Sequence, residues 1–154
     1  MIWETIFSLT NIWALVGWAA LIFLPRVPPV LSSVMYAGVA LLCVAYTVAF
    51  ALLLSNAVDP GGVEAASVSL TTIAGIRALF ATDAGVVIGW THYLALDLFA
   101  GLWIARDADA KGFSRFVQAP ILAMTLLAGP VGLLIWLILR ERRARIQAKT
   151  KAFT

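Results

Sequence analysis

A chain of 154 residues has room for one domain, and with 62% of them hydrophobic and 12% charged it lies outside the range of soluble domains, which are roughly 45–50% apolar. The net charge of +3 is unevenly placed, with six of the eleven Lys and Arg residues in the tail 140–154, directly after an apolar run. Anionic headgroups rather than nucleic acid are the expected contact of that tail, and the single cysteine, Cys43, excludes an intrachain disulfide or a thiolate metal cluster.

Four apolar runs reach the ~20 helical residues needed to cross a ~30 Å hydrocarbon core: residues 5–24, 30–55, 84–105 and 116–139. The expected fold is an all-α integral membrane protein, one transmembrane domain of four helices. The runs are continuous rather than alternating, which excludes a transmembrane β-barrel. The opening "MIWETIF" has no basic residue before the first run, so that run is expected to be a retained helix, not a cleaved signal, in a protein starting at Met1. "LPRVPPV" follows, and its prolines predict a tight turn.

The longest connection, 56–83, contains "SVSLTTIAGIRALF", in which Ile73, Ile76, Leu79 and Phe80 recur at helical spacing beside one charge, Arg77. This predicts a short amphipathic helix packed on the bundle, with an interfacial or re-entrant helix as the alternative. "RDADAKGFSR" joins the third and fourth runs and is polar enough for water. Four spans put both termini on one side. With the tail cytoplasmic, seven Lys and Arg (Arg77 and the six of the tail) face inward and Arg26, Arg106, Lys111 and Arg115 outward. The expected location is a bacterial inner membrane with both termini cytoplasmic.

In the fourth run Pro130 is central, which predicts a kink and a small pocket, with Gly129 and Gly132 permitting close approach. The third run carries the only histidine, His92, and Asp97. An ionised carboxylate at that depth costs about 2.5–3.5 kcal/mol, so a neutral acid donating a hydrogen bond is the expected state. Helical spacing places Trp90, Tyr93, Asp97 and Gly101 on one stripe and His92, roughly 140° from Asp97, on another. Asn11 and Thr125 are the other intramembrane polar groups aimed at the first stripe, with Tyr36 and Tyr46 as further candidates. Trp90 and Tyr93 suit a flat or polyene ligand. The expected site is therefore Asp97 and His92 as proton-transfer groups, with Trp90, Tyr93, Asn11, Thr125, Gly129 and Pro130 binding substrate. The plainer alternative is that the polar groups fix helix register.

One histidine and scattered acids fall short of an iron or zinc site, so no metal is expected. A haem on His92 needs a single histidine and stays open. Phosphate loops, dinucleotide-binding glycines and a nucleophile elbow are absent, which leaves proton transfer without a cofactor. Gly85 and Gly89 line a face that could pack inside the bundle or form a homo-oligomer.

"GWTHYLALDLFAGLWIARDA" (89–108), "APILAMTLLAGPVGLLIWLILR" (119–140) and "NIWALVGWAALIFLP" (11–25) resemble the plant abscisic-acid-deficient-four-like family of small membrane proteins. The resemblance implies a carotenoid or related isoprenoid ligand, because plant members are associated with forming neoxanthin from violaxanthin. Opening an epoxide to an allenic alcohol is an isomerisation without net redox change, which an acid and a base can carry out. Neutral Asp97 as acid and His92 as base, or the reverse, fit that reaction. A non-catalytic pigment binder or assembly partner is the alternative. The chain has no Ser- and Arg-rich transit segment before the first helix, which fits a bacterial version.

Overall fold

The computed structural model describes residues 2–61, 69 and 71–151, with side chains as far as Arg143. Every regular element among them is helical: α1 (Ile2–Phe23), α2 (Pro28–Leu54), α3 (Ile73–Phe80), α4 (Asp83–Ala110), α5 (Arg115–Leu127) and α6 (Gly129–Lys151). Proline opens α2, where its fixed φ suits the first turn and its missing N–H is no loss. Thr72 and Thr82 cap α3 and α4, their hydroxyls accepting from the Gly75 and Gly85 amides at 3.1 and 3.0 Å. Within α2 the stretch Val34–Ala40 is π-helical, and the Ala37 carbonyl there accepts from the Trp13 indole.

Helices α1, α2 and α4 are long and apolar enough to cross a membrane. They meet around Leu98, which is fully buried and fits against Gly17 and Gly38, while the Trp18 ring covers Gly101. Small residues at these points let the helices approach closely. The α3 helix packs on the start of α4, its Phe80 ring lying over Gly89, so the segment is a short helix on the bundle.

Residues 116–139 depart from expectation. They form no single span with a kink at Pro130, but two helices that reverse at Ala128, whose backbone (φ −152°, ψ 78°) lies outside the helical region. Pro130 is therefore in the first turn of a new helix, where it is tolerated, rather than inside an old one, where it would break a hydrogen bond. Gly132 completes the reversal, because any Cβ there would meet the Thr125 backbone across the turn. The 13 residues of α5 span about 20 Å, too short for a ~30 Å core. The pair is a helical hairpin with its tip beside the middle of α4.

Hydrogen bonds fix which end each element occupies. At one end the Trp3 indole donates to the Asp59 carbonyl (2.8 Å) and the Ala84 amide to the Pro60 carbonyl (2.9 Å). At the other, Arg26 pairs with Asp109 (3.0 Å), Arg115 donates to the Leu24 carbonyl (2.6 Å), Arg140 pairs with Asp107 (2.8 Å) and Arg143 donates to the Gly112 carbonyl (3.2 Å). So α6 returns to the end that α5 left, and the start of α1 lies at the opposite end from Arg140. The four-span count, on which both termini would share a side, is not borne out among the described residues, because 116–139 turn back at Ala128.

Burial lowers the Arg26 pKa, its bond to Asp109 and the negative charge there working the other way. Gln118, fully buried beside it, accepts from Arg26 and donates to Asp109 (2.8 Å) and the Phe113 carbonyl (2.8 Å). Trp136 anchors the returning helix: fully buried, it meets Phe113 edge-on at 5.0 Å and donates to Asp107 at 3.1 Å. Trp136→Phe keeps a ring and removes the donor. It is expected to cost about 1 kcal/mol, read as a lowered thermal midpoint in detergent; an unchanged midpoint would mean the bond contributes nothing.

Candidate functional site

The hairpin tip and the face of α4 opposite it enclose a cavity of about 270 Å³, lined by Trp18, Trp90, Tyr93, Leu94, Asp97 and Leu126, Leu127, Ala128, Gly129 and Pro130. Trp90, Tyr93 and Asp97 reach it together because positions three, four and seven apart share one helical face. Asp97 is half-buried and its carboxyl abuts Gly129 so closely that any Cβ there would collide with it. No ion pair reaches Asp97 among the described residues. Its carboxyl instead faces the first turn of α6, where the helix dipole is positive and favours a negative charge.

Trp90 is held in place. Its indole donates to Asn11 Oδ1 at 2.9 Å, and its ring lies 6.1 Å from that of Phe7. Asn11 in turn donates to the Phe7 carbonyl at 2.7 Å, so it orients a lining residue from outside the cavity. Thr125 is fully buried inside the hairpin and donates to the Ile121 carbonyl at 2.8 Å, away from the cavity. His92 is exposed on the α2 side, its ring 5.6 Å from Tyr46 and 6.2 Å from Tyr93.

The structure thus gathers Trp90, Tyr93, Asp97, Gly129 and Pro130 around one space and leaves Asn11, Thr125 and His92 outside it. Tyr46 stands with His92, and neither it nor Tyr36 lines the cavity. Trp18 and the residues from Leu126 to Ala128 were not anticipated. Contacts between distant helices leave no mark in a single sequence, but "AGP" (128–130) carried the Gly and Pro signals of one helix ending and another starting.

Chemically, one aspartate and one tyrosine line an aromatic and aliphatic cavity beside the middle of α4. That arrangement can stack on a planar unsaturated group and exchange a proton with an oxygen on it. No three His, Cys, Asp or Glu side chains come close enough to hold a metal ion among the described residues.

Neither a curated protein nor a solved structure matches the chain. The sequence model of the family described as ABA DEFICIENT 4-like does, over residues 5–136, from the first turns of α1 through the hairpin tip to Trp136. With the three long helices and the cavity inside the match, the chain belongs to the ABA DEFICIENT 4-like family.

Proposed function

We propose that the protein binds the end group of a carotenoid-type isoprenoid in the cavity at the hairpin tip and rearranges it by proton transfer through Asp97. The observation that carries this reading is the placement of one carboxyl, free of ion pairs among the described residues, between Trp18, Trp90 and Tyr93. On an epoxide end group, protonated Asp97 gives its proton to the oxygen as the carbon–oxygen bond breaks. The resulting carboxylate, favoured by the α6 dipole, then takes a proton from carbon to form the new double bond. The product is an isomer, Asp97 ends protonated, and no redox partner is consumed. His92, outside the cavity, is assigned no step.

The same placement favours a second reading, because a site with a single carboxyl equally suits a binder that presents pigment to a separate enzyme. Expression in a host making epoxide-bearing carotenoids separates the two. The isomerase reading expects a new pigment of unchanged mass and altered absorption in the extract of the purified protein. Bound but unaltered pigment would support the binder, and an empty protein would reject both.

Charge gives an orientation. The end holding Arg26, Arg106, Lys111, Arg115, Arg140, Arg142 and Arg143 carries seven cations against Asp107, Asp109 and Glu141, whereas the other end carries Arg77 with Glu4, Asp59 and Asp83 among the described residues. The positive-inside rule then puts the hairpin's open end in the cytoplasm and the start of α1 outside. In a Cys43→Ser background, an impermeant maleimide added to intact cells is expected to label Ala57→Cys and to spare Ala110→Cys. Labelling of Ala110→Cys alone would reverse the orientation.

A further inference from the structure

His92 is exposed on the face where α2 and α4 meet, although it lies eight residues into the apolar run 84–105. That is about 12 Å from the start of the run, near the middle of a ~30 Å core. Its neighbours are polar as well. The His92 ring sits 5.6 Å from that of Tyr46 and 6.2 Å from that of Tyr93, the first half-buried and the second exposed. Among the described residues neither nitrogen of His92 and neither tyrosine hydroxyl takes part in a hydrogen bond. Hydrocarbon supplies no donor or acceptor, so such a cluster is costly while it faces lipid. Histidine and other polar side chains inside spans are met by a neighbouring helix instead.

The chemistry of the cluster selects what covers it. The His92 ring is tilted by 50° to Tyr46 and by 77° to Tyr93, so the three rings offer no flat slot for a planar ligand. Their hydrogen-bonding groups are self-complementary: an imidazole carries one donor and one acceptor, and a phenol carries both. A second copy related by a two-fold axis sets His92 against Tyr46 and Tyr46 against His92, which makes two equivalent bonds. Around them Cys43 and Phe50 on the Tyr46 side of α2, and Leu96 and Phe99 on the His92 side of α4, are exposed. They form an apolar rim for the same contact. Gly85 and Gly89, the α4 residues whose spacing suits self-association, are closed to a partner because Leu79 and Phe80 of α3 lie against them.

We infer that the chain forms a two-fold dimer in the membrane through this face, with His92 hydrogen-bonded to Tyr46 of the second copy on each side of the axis. The inference goes beyond the proposed reaction and does not depend on it. It gives His92 a role without a chemical step. Asp97 lies roughly 140° around α4 from His92, so the interface leaves the side of the hairpin cavity uncovered.

The test is Förster transfer between donor- and acceptor-labelled copies of the full chain, labelled at Ala57→Cys in a Cys43→Ala background. The copies are placed in phosphatidylcholine vesicles over a series of protein-to-lipid ratios. Transfer is expected to rise with protein density to the plateau of a two-copy complex. His92→Leu and Tyr46→Phe keep the helix faces apolar and remove the bonding groups. Each is expected to raise the density at half-maximal transfer about tenfold, the combined effect of two intramembrane hydrogen bonds. His92→Gln keeps a donor and an acceptor and is expected to stay within about threefold of wild type. The inference is overturned if the wild type shows only the transfer of random crowding, which would leave a different membrane protein or a ligand as the cover of His92. It is equally overturned if His92→Leu and Tyr46→Phe associate as the wild type does, which would place the contact between copies on another face.

Discussion

Replacing Asp97 by Asn is expected to reduce conversion of the ligand's end group by about 100-fold or more, the usual scale for removing a group that transfers a proton in the transition state. The amide has nearly the same size and still hydrogen-bonds, so the hairpin keeps its contact with Gly129 and the pigment stays bound. What it cannot do is give up a proton and then accept one. The measurement is product formed per mole of inserted protein, with bound pigment counted in the same preparation. Conversion near wild-type level with normal insertion would remove Asp97 from the reaction. His92→Gln is the informative companion. Its ring packs against Tyr46 and Tyr93 outside the cavity, so conversion is expected to change less than about twofold, far below the effect of losing a proton-transfer group.

The second large effect is expected from Gly129→Leu. A Cβ at this position already overlaps the Asp97 carboxyl, and the rest of a leucine side chain must enter the cavity or push the hairpin away from α4. Overfilling a packed site costs about 1–3 kcal/mol, and here the space lost is the ligand's. Bound pigment is expected to fall more than tenfold while the protein still inserts. Gly129→Ala should lie between leucine and wild type, since it adds the collision without filling the space. Full pigment occupancy in Gly129→Leu would place the ligand elsewhere.

The three long helices were legible because hydropathy reports the bilayer directly. The expected runs at 5–24, 30–55 and 84–105 sit within or against Ile2–Phe23, Pro28–Leu54 and Asp83–Ala110. Where they differ, the cause is physical: "RDADA" leaves the hydrocarbon but remains helical, continuing α4 beyond its apolar part. The hairpin was not legible from the same signal. Both of its arms are apolar, and a continuous apolar run reads alike whether the chain crosses once or enters and turns back. The stripe of Trp90, Tyr93 and Asp97 was legible from spacing alone, as was the separation of His92 from it. Asn11 and Thr125, expected to bind substrate, stand out in the sequence as polar groups within apolar runs, but the direction of each side chain is not legible there. Thr125 bonds to its own helix four residues back, and Asn11 to an indole on another helix.

Direct observation of the ligand tests the central claim most closely: an experimental structure of the protein carrying the pigment it retains from a carotenoid-producing host. The account expects the end group beneath Trp90 and Tyr93, with an oxygen within about 3 Å of an Asp97 carboxyl oxygen. Pigment on the opposite face of α1, in the apolar groove of about 390 Å³ beside Trp13 and Pro29, with the hairpin cavity empty, would contradict it.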